Sequence, residues 1–237
     1  MNEDIDYSEN RQKCKRLIEK YWVDIKGGYF EMGTPEDSKY CFIGERPLHT
    51  VFVDDFKISS ITITEEMYNL YDPNYEVKNC RFPATNITWN DANGFCRWLG
   101  YYLPTEAEWE YSSRAHSKDN WFCDELELHN YCWFSTNSKS KLHEVAELKP
   151  NAFGLFDMLG NVWEWCSDFY SKTFYFEKNT INPLCMEDNC MKVCRGGSYY
   201  SFTEMCRSNF RWKEPIDFKA KDLGFRIVNR LNKNETV

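Results

Sequence analysis

The first twenty-two residues, MNEDIDYSENRQKCKRLIEKYW, are polar and charged except at a few positions, among them Cys14, Leu17, Ile18 and Tyr21. Those four recur at i, i+3, i+4 and i+7, one face of a helix, so the spacing predicts a charged helix packed on a domain edge. From Gly27 the period changes. "GGYFEMGT" and "HTVFVDDFKISSITIT" are short alternating runs, with Val51, Val53, Phe56 and Ile58 at strand-like positions and Asp54-Asp55 as a turn. Ala92, Phe95, Cys96 and Leu99 then form a second helical stripe, with Gly100 where a helix C-terminus wants it. Pro104 and Thr105 open another helix carrying Trp109 and Tyr111. Thr105 with Glu108 is a capping box, which satisfies two otherwise orphaned amide donors. Beyond that helix the chain reads as irregular to about residue 195, rich in aromatics and poor in long periodic stretches. No internal repeat or low-complexity linker divides it. The organisation expected is a helical extension over 1–26, one domain over 27–231 and a polar tail over 232–237.

Composition adds three constraints. The 237 residues are 42% hydrophobic and 17% aromatic, and 9 Trp, 15 Tyr and 17 Phe imply large aromatic clusters or a ligand groove. Twenty-nine basic against 37 acidic residues give a net charge of −8 without a basic face, which argues against a nucleic-acid partner. No run approaches the ~18 apolar residues of a membrane span, and no basic start followed by an apolar run marks a signal peptide. The 11 cysteines, an odd number, are therefore expected mostly as free thiols in the cytoplasm.

Candidate chemistry concentrates in "GNVWEWCSDFY", residues 160–170, where Trp163 and Trp165 flank Glu164 and Asp168 follows. Two readings stand side by side: an aromatic core with acids turned to solvent, or a backbone bent around an ion and a ligand. The run "CMEDNCMKVC" holds Cys185, Cys190 and Cys194, but C-x4-C-x3-C with no nearby histidine is a weak metal spacing. His49, His116, His129 and His143 are scattered, which disfavours an iron site needing two or three histidines and a carboxylate.

Five blocks, "ITWNDANGFCRWLG", "LPTEAEWEYSSR", "PNAFGLFDMLGNVWEWCSDFY", "RGGSYYS" and "LGFRIV", occur in an order and at a spacing that resemble the sulfatase-modifying-factor family, which includes the formylglycine-generating enzyme. The likeness runs from about Gly27 to Val228. It implies an α+β, C-type-lectin-like fold with two short helices, small antiparallel sheets, much irregular backbone and bound calcium. Members of that family include copper-dependent oxidases that make formylglycine from a peptide cysteine, iron-dependent sulfoxide synthases, silent paralogues and the hypervariable receptors of diversity-generating retroelements.

Carried over residue by residue, the resemblance assigns calcium to the side chains of Asp157 and Glu164 and the carbonyls of Gly160 and Val162, oxygen donors of the kind Ca²⁺ takes. It places Trp163 and Ser198 on a substrate groove, with Gly196 and Gly197 admitting close backbone approach. Ser198 also reads simply as a turn serine, and Trp163 as core. The copper enzymes use two cysteines five residues apart after this segment. Counting from Ser198, the first position holds Ser201 and the second Cys206, and a hydroxyl is a poor ligand for Cu(I). Val228 and Ser113 likewise stand where family disulfides would need cysteines. The expectation is a ligand-binding protein, its groove completed by Tyr199, Tyr200, Ser201, Phe202, Phe210 and Trp212, binding a peptide, a protein or a small molecule. A retroelement-diversified receptor is one form of it, since those receptors vary between GGS and GFR. The alternative is a copper- or iron-dependent oxidoreductase in which Cys206, with Ser198, acts in catalysis; against it, Cys206 reads more readily as a small buried core residue.

Overall fold

A computed structural model of the chain describes residues 7–177 and 180–230. Residues 1–6 of the expected extension and the tail 232–237 lie outside the described residues. Helix α1, Tyr7–Glu19, buries Cys14 and Ile18 as its stripe requires, and Leu17 and Tyr21 pack partly against the same cluster. Trp22–Ile25, assigned to the extension by sequence, instead form strand β1. β2 is Gly28–Met32, β3 His49–Val53 and β4 Phe56–Ser59. The alternating positions Val51, Val53, Phe56 and Ile58 are all buried, and Asp54-Asp55 link β3 to β4.

The stretch after β4 does not continue as strand. Thr64 caps a five-residue helix α2, Glu65–Asn69, its hydroxyl accepting from the Met67 amide. β-Branched "ITIT" masks this helix, because propensity there favours strand while the cap decides otherwise. Helix α3, Trp89–Leu99, has a capping box from Thr88 and Asp91 and ends on Gly100 at φ 82°. Helix α4, Glu106–Arg114, has the expected box from Thr105 and Glu108.

The reading of 115–195 as irregular needs correction. β5, Trp163–Phe169, and β6, Met191–Arg195, lie within it and make the centre of a sheet. With β7, Trp212–Pro215, and β8, Leu223–Gly224, the order is β7-β6-β5-β8, antiparallel except for the β5–β8 pair. β9, Val228–Arg230, completes a second sheet of order β1-β4-β9, and β2 pairs with β3 alone. Trp165 and Cys194 point into one hydrophobic cluster, whereas Cys166 and Val193 point into the other. A strand covered on both faces loses the period-2 alternation by which strands are found in sequence. That burial conceals β5 and β6.

Polar groups hold the layers together. Helix α4 is buried along its whole length, yet it presents Glu106, Glu108 and Glu110. Arg211 forks onto Glu106 at 2.6 and 2.7 Å, Arg230 onto Glu108 at 2.8 and 2.8 Å, and Arg195 with Arg114 binds Glu110. Arg207 binds Glu45 in the same way at 3.0 and 2.8 Å. Asp168 accepts from the amides of Glu106 and Cys185, tying β5 to the start of α4.

Candidate functional site

The groove forms where the β6–β7 connection folds over β5. After β6, Gly196 and Gly197 take φ 96° and 77°. A Cβ on Gly197 would sit 2.7 Å from the Cys206 sulfur, so the turn needs glycine for both conformation and space. The turn continues through Ser198 to Ser201, whose amide donates to the Ser198 carbonyl at 2.9 Å. Ser198 is buried; its Oγ accepts from the Tyr200 amide at 3.2 Å and donates to Asp222 Oδ2 at 2.7 Å. This serine closes a turn, as one reading has it, and it also lies on the wall of a cavity.

Trp163, Ser198, Tyr200, Ser201, Phe202, Met205, Trp212 and Asp222 line one open cavity of about 260 Å³. Six of the eight residues assigned to a ligand from sequence are among them. Tyr199 and Phe210 are not; both are buried. Phe210 props the walls instead, its ring centroid 5.8 Å from that of Trp163 and 6.4 Å from the nearly parallel Trp212. Tyr199 packs under Tyr200 at 4.3 Å. Trp212 is held from the side by its indole N–H, which donates to Glu214 at 2.8 Å. Asp222 and Met205 were not found from sequence. The aspartate immediately before "LGFR" was an available signal, because the parallel β5–β8 pairing puts the start of β8 beside Trp163.

The loop before β5 carries the calcium assignment. Asp157, Gly160 and Asn161 all have positive φ (53°, 74° and 57°), which coils this backbone tightly. A Cβ on Gly160 would lie 2.2 Å from the Trp133 carbonyl oxygen. Asn161 anchors the loop by exchanging hydrogen bonds with the backbone of His143 at 3.1 and 3.1 Å. Asp157 is buried, accepts from the Ala146 amide at 2.8 Å, and has no ion pair among the described residues. Burial pushes its acid up to about 6, against the lowering effect of the Ala146 amide and the nearby Arg226 charge. A buried carboxylate with no direct ion-pair partner among the described residues fits a hard cation. Glu164 fits less well. Its Oε1 accepts from Arg226 at 2.7 Å and its Oε2 from Arg226 and Trp109 at 2.6 and 2.8 Å. Of the two carboxylates assigned to calcium, Asp157 is free of a direct ion pair among the described residues, and Glu164 is not.

The copper positions fit a metal poorly in their original form. The Ser201 hydroxyl accepts from the Ser198 amide at 2.9 Å. Cys206 is fully buried beneath Gly197, and its thiol faces that of Cys132, also fully buried. Burial and then Cys206 itself push the Cys132 thiol well above its usual range. Neither lines the cavity. Cys132 could not be found from sequence, since nothing local links it to Cys206. Among the described residues no three His, Cys, Asp or Glu side chains converge as a metal cluster, the 185–194 cysteines included. Ser113, where the resemblance calls for a disulfide cysteine, meets the hydroxyl of Ser208 at 2.9 Å.

Comparison with known proteins agrees with this architecture. Residues 7–231 match the sulfatase-modifying factor enzyme 1-like domain, and the chain belongs to that family. It is 35% identical over 165 residues to a formylglycine-generating enzyme of Streptomyces coelicolor, covering 62% of this chain and 52% of that enzyme. The chain thus spans about half the length of that curated relative. PvdO from Pseudomonas aeruginosa superposes with a TM-score of 0.82 at 26% identity, over 89% of this chain and 94% of PvdO. Treponema denticola variable protein 1 shares the fold, with a TM-score of 0.77 at 24% identity over 87% of this chain and 94% of that one. The fold is α+β, of the formylglycine-generating-enzyme type among C-type-lectin-like proteins. Among the described residues no helix is long and apolar enough to cross a membrane.

Proposed function

We propose that this chain is a ligand-binding member of its family, taking a peptide, protein or small molecule between Trp163 and the 198–212 connection. One observation carries the reading: aromatic and hydroxyl side chains surround an open cavity, while the first copper position is a serine whose hydroxyl is bonded to backbone. Aromatic anchors with polar spacers are the composition of recognition surfaces. Phe202 and Trp212 are 67% and 45% exposed, so side-chain changes there alter recognition with little effect on packing. This is the property a diversified receptor needs, and such a role is one form of the proposal. The eleven thiols suit a reducing compartment such as the cytoplasm.

Calcium belongs to the same proposal as a structural ion at Asp157, neutralising a buried carboxylate and fixing the loop that leads into β5. In a thermal-unfolding titration, calcium raises the midpoint relative to a chelator, and Asp157→Ala removes the increase. A free-ion concentration a hundredfold above Kd gives about 2.7 kcal/mol. An unchanged midpoint at millimolar calcium refutes this part.

A second reading, a metal- and oxygen-dependent oxidoreductase acting on a peptide cysteine, is favoured by the Cys132–Cys206 contact, because two thiols suit a soft monovalent metal. The two readings separate in an oxygen-uptake assay with added copper(I) and a cysteine peptide. The binding reading expects copper-independent ligand binding that Trp212→Ala weakens, and no turnover. Turnover abolished by Cys206→Ala overturns it.

A further inference from the structure

We propose that the cavity recognises a methylated ammonium group carried by its ligand; this rests on the reading of that cavity as a ligand site. Four aromatic rings, Trp163, Tyr200, Phe202 and Trp212, line it with Met205. Ring faces carry negative electrostatic potential, and a cation desolvated among several of them is attracted to each. The Trp212 indole N–H donates to Glu214, and a hydrogen bond to an anion enriches the ring in electron density. The one charged side chain on the wall is Asp222, whose Oδ2 accepts from Ser198 while its backbone carbonyl accepts from the Trp163 amide at 2.8 Å. Ser198 thus holds the carboxylate at the wall, and the Trp163 amide holds the backbone that carries it. No lysine, arginine or histidine lines the space.

Chemistry narrows the cation. A primary ammonium carries three donors and a strong hydration shell, and needs three acceptors to replace it. Here the wall offers one carboxylate and two serine hydroxyls, Ser198 and Ser201, that are already committed within the turn. A trimethylammonium or dimethylammonium group has little or no hydrogen-bonding demand, spreads its charge over methyl groups, and suits aromatic walls closed by one anion. The opposing feature is Lys221, whose ammonium sits over the Tyr200 ring 4.8 Å from its centroid, bonds the Tyr200 hydroxyl and is attracted to Asp222. It is exposed and does not line the cavity, so it weakens the field there without occupying the space.

The test uses three probes of one shape: choline, its neutral isostere 3,3-dimethylbutan-1-ol, and the anion 3,3-dimethylbutanoate. Each is titrated by tryptophan fluorescence and ligand-observed NMR into the wild-type chain and into Asp222→Asn, Trp212→Ala and Lys221→Met. Choline is expected to bind at least about tenfold tighter than the alcohol, with the anion weakest. Asp222→Asn, which keeps an oxygen for Ser198, should cut the preference for choline to about twofold or less, and Lys221→Met should tighten choline modestly. Circular dichroism of each variant excludes unfolding as the cause. If the alcohol or the anion binds as tightly as choline, and Trp212→Ala weakens it, the cavity still binds ligands but the ammonium rule is overturned. If none of the three binds, the ammonium rule is overturned, and the cavity's role is then decided by whether Trp212→Ala weakens copper-independent binding of a peptide.

Discussion

Two faces of one segment, residues 195–212, behave in opposite ways. Arg195, Arg207 and Arg211 turn inward, all buried, and each grips a buried glutamate. Tyr200, Phe202 and Trp212 turn outward and are 40, 67 and 45% exposed. The inward set fixes the path of the backbone by charge-assisted hydrogen bonds, forked in Arg207 and Arg211, which carry direction as well as energy. The outward set is held more lightly: Tyr200 packs on Tyr199, Trp212 stacks on Phe210 and bonds Glu214, and Phe202 makes no aromatic contact among the described residues. A connection with little regular structure can therefore be rigid and variable at once, because rigidity resides in its arginines.

Removing one partner of the inward lattice should have the largest effect. Burial alone would raise the Glu110 acid, but Arg114, Arg195 and the Gly33 amide hold it below the ordinary carboxylate value. Glu110→Gln leaves two buried guanidiniums short of charge and should cost about 3–5 kcal/mol in urea unfolding. A loss under about 1 kcal/mol would mean that the lattice does not set the backbone, and the contrast between the two faces would fail.

Gly160 and Gly197 sharpen the contrast next. Alanine at either is strained by its positive φ, but the obstacles differ: the Trp133 carbonyl for Gly160 and the Cys206 thiol for Gly197. Gly160→Ala should lose about 1–3 kcal/mol from strain alone, with more for the displaced backbone. Gly197→Ala should lose less, and Cys206→Ala in the same chain should restore part of it. No restoration would show that the thiol is not what the turn packs against.

Asp168 adds a pH dependence. Burial, and then the charge of Glu106, raises its acid to about 7 from an ordinary 3.8. The folded state holds this proton more tightly than the unfolded state. The site's contribution is therefore fully present below about pH 4 and is lost as pH rises through about 7, by a few kcal/mol at most. Unfolding free energies at pH 4.5 and 7.5 should differ less for Asp168→Asn than for wild type. An identical difference would place the titration elsewhere.

Helices α1, α3 and α4 were legible because their signals are local. Thr105 and Glu108 are three residues apart, and the cap they predict is the cap that forms. The sheet was not legible, because Trp165 and Cys166 are both buried on opposite faces and leave no alternation to read. The burial of Glu106, Glu108 and Glu110 had no local signal, because only sequence-distant arginines and the neighbouring Arg114 make it tolerable. The cavity was legible where the likeness named residues near "GGS". Asp222 was missed because its contact with Ser198 joins residues 24 apart with no period connecting them.

The smallest expected effect on stability is the one that most directly probes the outer face. Phe202 is 67% exposed, and its ring makes no aromatic contact among those of the described residues. Phe202→Ala should change unfolding free energy by no more than about 0.5 kcal/mol, as surface substitutions usually do. Trp212→Ala should cost somewhat more, since it also gives up the stacking on Phe210 and the bond to Glu214. Both should nevertheless weaken binding of choline, and Phe202→Ala provides the cleaner separation because it leaves the arginine lattice and the Ser198–Asp222 bond untouched. If Phe202→Ala instead destabilises the chain as much as Glu110→Gln, the outer face is part of the core after all, and a surface built to vary cannot be built from it.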